Sequence, residues 1–212
     1  MNRKSTFDSK SFLLRNLSQF YHNNIPEYGY KYAMTATKDI ISEYENSIRK
    51  RKKKATKSPI LDLISKYQRK LSLEQISYFE KIDELYANTD DPNVFVNECT
   101  SLQNEIRTTL KQEDAQPLLV SLEVAKNSAE YWSKNLTLWA DKLQGNKRKK
   151  GWFSWKSVGK GDVAGAGGAA VGAFVVNVIP ALGQVAYGGA IVGGGVSGSA
   201  YSAINQILSH WD

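Results

Sequence analysis

The chain has 212 residues and a formal net charge of +7, and its charged residues are almost all confined to residues 1–162. That split implies two units, and the basic balance calls for an anionic partner, with lipid and nucleic acid as the physical candidates. The lone cysteine, Cys99, excludes an internal disulfide and a cysteine-based zinc site, so stability has to come from packing and helix content.

At the amino end, Phe12, Leu13 and Leu14 form too short an apolar core for a secretory signal and are followed by Arg15 rather than a cleavage site. If a protein starting this way leaves its cell, lysis or a dedicated exporter is the expected route. Leu13, Leu17, Phe20 and Tyr21 recur at helical spacing over 9–24, with Asn23, Asn24 and Pro26 as the stop. The pattern returns over 31–54 through Ala33, Thr37, Ile40, Ile41, Tyr44 and Ile48, then meets the basic run 49–54. Cations in a last helical turn complement the macrodipole, so a solvated helix end explains that run more simply than a nucleic-acid patch does.

Three helix starts follow. Ser58-Pro59 places an N-cap before an N1 proline, with Leu61, Ile64, Tyr67 and Leu71 as the buried face. Ser72 and Gln75 fit a capping box ahead of Ile76, Phe79, Ile82, Leu85 and Tyr86. Asp91-Pro92 repeats the cap-plus-proline signal before Phe95, Cys99, Leu102, Ile106 and Leu110, a helix expected to run to about Gln112. The most regular seam is Leu118, Leu122, Ala125, Ala129, Trp132, Leu136, Trp139 and Leu143, expected to start after Pro117 and end at Gly145. No stretch alternates with period two for long enough to suggest a sheet.

Support for enzymatic chemistry is absent from the sequence. His22 and His210 are the only histidines, with no clustered carboxylates or cysteines for a metal and no nucleophile motif beside them. Residues 165–170 match a relaxed dinucleotide fingerprint, but no acid lies between Asp162 and Asp212 to hold a ribose. The expectation is therefore no catalytic residue, no cofactor and no metal.

Residues 146–160 form a basic-aromatic collar in which Lys147, Arg148, Lys149, Lys150, Lys156 and Lys160 stand beside Trp152, Phe153 and Trp155. Aromatic rings prefer the headgroup region and each cation near an anionic surface adds about 1 kcal/mol, so the collar is read as a salt-sensitive dock on an anionic lipid membrane, ahead of nucleic acid. From 161 to 209 the chain is uncharged after Asp162 and rich in glycine, alanine and valine. A helix over 162–179 would be about 27 Å long, Pro180 and Gly183 supply a turn, and a second segment over 182–208 would reach about 40 Å. Small residues recur at every fourth place, as Gly161 and Gly165 and as Ala186, Ala190, Gly194 and Gly198, which lets helix backbones approach closely. The apolar content is marginal for a solitary span, so insertion as a pair, or on meeting a membrane, fits better than a permanent anchor.

Residues 147–208, with the basic start, Trp152, Trp155 and the pairs Gly161/Gly165, Gly168/Gly172, Gly189/Gly193 and Gly194/Gly198, resemble the two-peptide class IIb bacteriocins of the lactobin A/cerein 7B type and glycine-zipper proteins generally. The resemblance implies a secreted peptide that inserts in a target membrane and dissipates ion gradients. It departs from the family in carrying a domain of about 145 residues where a short double-glycine leader is usual. The expected fold is all-α: a helical bundle over 1–145, the collar over 146–160, and a glycine-rich hydrophobic hairpin over 161–212. The expected function is a bacteriocin-like, membrane-inserting antimicrobial or pore-forming toxin. Self-association or a partner peptide and a cognate immunity protein belong with that reading. It is membrane-associated, and secreted or released without a standard signal peptide. The alternative is a non-toxic scaffold anchored in a bacterial inner membrane with its N-terminal domain in the cytoplasm.

Overall fold

The structure, a computed structural model, describes residues 9–24, single positions between 27 and 42, 58–144 and 154–175. Of these residues 92% are helical and none is in a strand, which places the described part in the all-α class. Helix α1 spans Ser9–Asn24, α2 Pro59–Ile64, α3 Leu73–Asn88, α4 Pro92–Thr109, α5 Gln112–Gln144 and α6 Trp155–Val175, with a 3-10 segment, Ser65–Lys70, following α2.

The helix starts lie where local chemistry puts them. The Ser58 hydroxyl accepts from the Ile60 and Leu61 amides at 3.1 and 3.4 Å. Ser72 and Gln75 make the reciprocal capping box, with amide-to-side-chain distances of 3.0 and 2.9 Å. Asp91 accepts from Asn93 and Val94. Each cap satisfies amides that have no partner inside the helix, worth typically about 1 kcal/mol. Gln75 is itself buried and also donates to the Asp114 carbonyl at 2.9 Å, so the cap of α3 fastens the start of α5.

Two boundaries differ from the sequence expectation. Helix α5 begins at Gln112 rather than after Pro117, and the Ala115 amide bonds back to the Lys111 carbonyl. A proline at the sixth helical position gives up the bond its own N–H would make and crowds the Glu113 carbonyl, a disturbance confined to the start of the helix, and the buried Ser121 hydroxyl donates to the Pro117 carbonyl at 2.7 Å. Helix α4 correspondingly stops at Thr109 with Leu110 as its C-cap.

The core draws on one face of each helix: Phe79, Ile82 and Tyr86 from α3, Phe95, Cys99, Leu102 and Ile106 from α4, and Leu118, Leu122, Ala125 and Ala129 from α5. Each large apolar side chain buried there contributes about 1.5–3 kcal/mol. Short connections at 89–91 and 110–111 keep α3, α4 and α5 side by side, and the Thr89 hydroxyl pins the first to Glu98 at 2.7 Å. Val163 and Ala164 of α6 complete the same core, so residues on both sides of the collar share one apolar interior. Helix α1 builds a smaller cluster, in which Leu17 and Tyr21 pack on Ala33 and the Tyr21 hydroxyl lies 3.0 Å from Thr37 Oγ1. Phe20, placed on that helix's apolar face by its spacing, is 45% exposed and meets Tyr21 edge-on.

Candidate functional site

Helix α6 is the unusual element. Every residue from 161 to 167 is buried. That is nearly two turns, so this part of the helix is enclosed on all sides, by α5, α2 with its 3-10 segment, and α3. Only small residues permit such an enclosure. A Cβ added at Gly159 would come within 2.9 Å of the Tyr86 hydroxyl, and one at Gly167 within 2.8 Å of Ser121 Oγ. Across the contact α5 presents its own small residues, Ser121, Ala125, Ser128 and Ala129, all buried. Close approach of two backbones through small side chains is the packing expected of a glycine zipper, here made against a partner helix of the same chain.

Asp162 sits in the middle of this contact, 4% exposed. The Ser128 hydroxyl donates to its Oδ2, and the Trp132 indole N–H donates to the same oxygen at 3.1 Å. Its Oδ1 and the nearby Tyr86 hydroxyl are buried with no hydrogen-bond partner among the described residues. Burial pushes the carboxyl up from 3.8 to about 8, and the two donated hydrogen bonds only partly oppose this. Burial and the neighbouring Asp162 also push the Tyr86 phenol well up. Both shifts favour the uncharged forms, so the stretch without charge effectively begins at Gly161, directly after Lys160.

The entrance to α6 is held by a ring cluster and two ion pairs. Trp155 is half-buried, with its ring centroid 5.3 Å from Phe95 and 6.1 Å from Tyr86, whose rings are 4.4 Å apart. Val158 and Trp132 continue the apolar patch. Lys156 pairs with Asp90, which is otherwise 93% exposed. Lys160 lies 3.3 Å from Asp83, and the Ser58 hydroxyl donates to the same Asp83 oxygen at 2.5 Å. One carboxylate thus ties the cap of α2, helix α3 and helix α6 together.

Of the residues assigned to membrane docking, Trp155, Lys156 and Lys160 make these internal contacts. Lys147, Arg148, Lys149, Lys150, Trp152 and Phe153 lie outside the described residues. Of the residues assigned to helix packing, Gly161 and Gly165 are buried in α6 and Gly168 and Gly172 continue it. Ala186, Ala190, Gly194, Gly198 and the turn residues Pro180 and Gly183 lie outside the described residues. Helix α6 opens at Trp155, ahead of the expected Asp162, because collar residues 155–160 wind as its first turns. Sequence reasoning missed Gly159, Tyr86, Ser121 and Ser128 as contact residues. A row of small residues in α5, Ser121, Ala125 and Ser128, was the available signal.

Among the described residues no helix is long and apolar enough to cross a membrane, and no group of three or more His, Cys, Asp or Glu side chains could hold a metal ion. What the arrangement does chemically is hold a glycine-rich helix, without charged residues beyond Asp162, in place through close packing, one buried acid and two ion pairs. No protein-family model, curated protein or solved structure matches the chain.

Proposed function

We propose that the chain is a membrane-permeabilising protein of bacteriocin type, whose N-terminal helical bundle stores the first part of a glycine-rich hairpin and releases it to an anionic membrane. The observation that carries this reading is the contact of α6 with α5. A helix that is uncharged beyond Asp162 packs closely through Gly159 and Gly167, which meet Ser128 and Ser121 of α5 and the rings of Tyr86 and Phe79 of α3. Such a contact gains its energy from close van der Waals approach, which another small-residue helix inside a bilayer would supply equally well. Lys156 and Lys160 are held by Asp90 and Asp83, and anionic headgroups offer the same charge in competition.

The burial of residues 161–167 by itself favours a second reading, in which α6 is a permanent core helix and does not leave. A reversible lock separates the two. A Cβ at Gly167 lies 3.7 Å from Ser121 Cβ, within the Cβ–Cβ range of a disulfide. The pair Ser121→Cys and Gly167→Cys should therefore cross-link α6 to α5. Cys99 is buried and its thiol is pushed up to about 12, which keeps it out of the exchange. The expected outcome with anionic liposomes is dye leakage from the reduced full-length variant and silence from the oxidised one. Equal leakage from both forms removes the release step. No leakage from either, or from the wild type, ends the permeabilisation reading and leaves α6 a structural helix.

A further inference from the structure

Asp162 is enclosed by groups that do not neutralise a negative charge. From α5 it receives Ser128 and Trp132, both neutral donors, while Lys126 of the same helix is engaged by Glu123 and Gln103 at 3.1 Å each. Helix α3 contributes Tyr86, whose hydroxyl has no partner among the described residues, and Asp83, which is taken by Lys160. Helix α4 contributes Cys99, a thiol held neutral by burial. On α2 and the 3-10 segment, Asp62 and Tyr67 are half-buried and Arg69 and Lys70 are exposed. The cations of α6 itself, Lys156 and Lys160, are spent on Asp90 and Asp83. An ionised carboxylate here would have a buried Oδ1 with neither donor nor cation, whereas the neutral acid removes the cost of the buried charge and leaves only that of an unpaired neutral group.

We infer that Asp162 is a proton-operated latch on α6: the neutral acid keeps the helix seated against Ser128 and Trp132, and loss of the proton loosens it from the helical body. The latch concerns what holds α6, whatever the helix does on leaving, and so stands apart from the membrane reading. Its sign follows from linkage. Seated, the carboxyl titrates at about 8; released into water, it returns to the ordinary carboxylate range near 3.8. Between those values the seated form holds a proton that the released form gives up, so seating weakens about tenfold for each pH unit of rise. Below the window both forms are protonated and the dependence ends. Above it both are ionised and the weakening levels off.

Hydrogen exchange on the full-length protein from pH 5 to pH 9.5, corrected for intrinsic exchange, reads this directly. Amides of α6 between 158 and 167 are expected to lose about a hundredfold of protection over two pH units of that window, relative to the same amides in Asp162→Asn, and to level off above pH 8. Asp162→Asn should abolish the extra pH slope. Ser128→Ala removes a bond that favours the ionised form, and should move the levelling point to higher pH. Protection of α6 that does not fall with pH across this window overturns the latch, as does an unchanged slope in Asp162→Asn. If Asp162→Asn does not fold, an unmoved levelling point in Ser128→Ala overturns it instead.

Discussion

Gly159 faces the hydroxyl end of Tyr86, close enough that a single added carbon would sit 2.9 Å from the phenolic oxygen and 3.3 Å from Ser128 Oγ. Tyr86 cannot swing away, because its ring is fully buried and packed at a 45° tilt against Phe95. An alanine in a helix normally gains about 1 kcal/mol over glycine. Here the clash outweighs that gain, and Gly159→Ala is expected to destabilise by about 1–2 kcal/mol, with Gly159→Leu worse, read as a lower urea midpoint.

The same relationship predicts a rescue. The Tyr86 hydroxyl is buried with no hydrogen-bond partner among the described residues, so Tyr86→Phe removes an unsatisfied group and should be neutral or stabilising by about 1 kcal/mol. It also clears the atom nearest a Cβ at position 159. The double variant Tyr86→Phe, Gly159→Ala should recover most of the loss, with a coupling of about 1 kcal/mol in a double-mutant cycle. Strict additivity would show that the two positions do not meet.

A parallel test lies two turns further on. A Cβ at Gly167 would meet Ser121 Oγ at 2.8 Å, a hydroxyl already committed to the Pro117 carbonyl. Gly167→Ala should therefore lower the thermal midpoint, and Ser121→Ala should relieve it by removing that oxygen, although it also removes a hydrogen bond of about 1 kcal/mol. If Gly167→Ala instead raises the midpoint, the close approach of α5 and α6 at this level is wrong.

These contacts also show which parts of the molecule could be read from the chain. The caps at Ser58, Ser72 and Asp91 were legible because capping is a local transaction between residues two or three apart. The buried faces of α3 and α4 followed from helical spacing for the same reason. The partners of Asp162 were not legible: Ser128 and Trp132 stand 34 and 30 residues earlier, and although the small-residue row and the apolar seam mark them as contact positions, nothing local pairs them with an acid so far along the chain. Trp155, Lys156 and Lys160 were grouped with the collar by composition. Only the fold shows that Tyr86, Phe95, Asp90 and Asp83 converge on them.

The Lys160–Asp83 pair should be worth measurably more than Lys156–Asp90. Both members of the first are about three-quarters buried, at 25% and 21% exposure, and Ser58 fixes the carboxylate. In the second, Asp90 projects into solvent. A double-mutant cycle on Lys160→Met and Asp83→Asn is expected to give about 0.5–1 kcal/mol, reduced in 1 M salt, whereas the Lys156 and Asp90 cycle should give less at any salt. The reverse order would mean that Asp83 serves the Ser58 cap alone.

Replacements at Asp162 separate its two contributions, as a hydrogen-bond acceptor and as a buried acid. Asp162→Ala leaves the Ser128 hydroxyl and the Trp132 indole N–H buried without their acceptor and opens space between α5 and α6, so it should destabilise by about 2–4 kcal/mol at low pH, where the wild-type carboxyl is neutral in both states, and by less as pH rises. Asp162→Asn keeps an acceptor and close to the same shape. Below about pH 4, where the wild-type carboxyl is neutral in both the folded and the unfolded state, the asparagine variant should match the wild type. As pH rises towards 8 the wild type loses stability, because its unfolded form has already shed the proton that the folded form still holds, at about 1.4 kcal/mol per pH unit. Asparagine has no proton to lose, so its denaturation midpoint should overtake that of the wild type with rising pH and keep the lead above pH 8. Wild-type stability that rises with pH through this range would show that the carboxylate, rather than the acid, is the form the helix contact prefers.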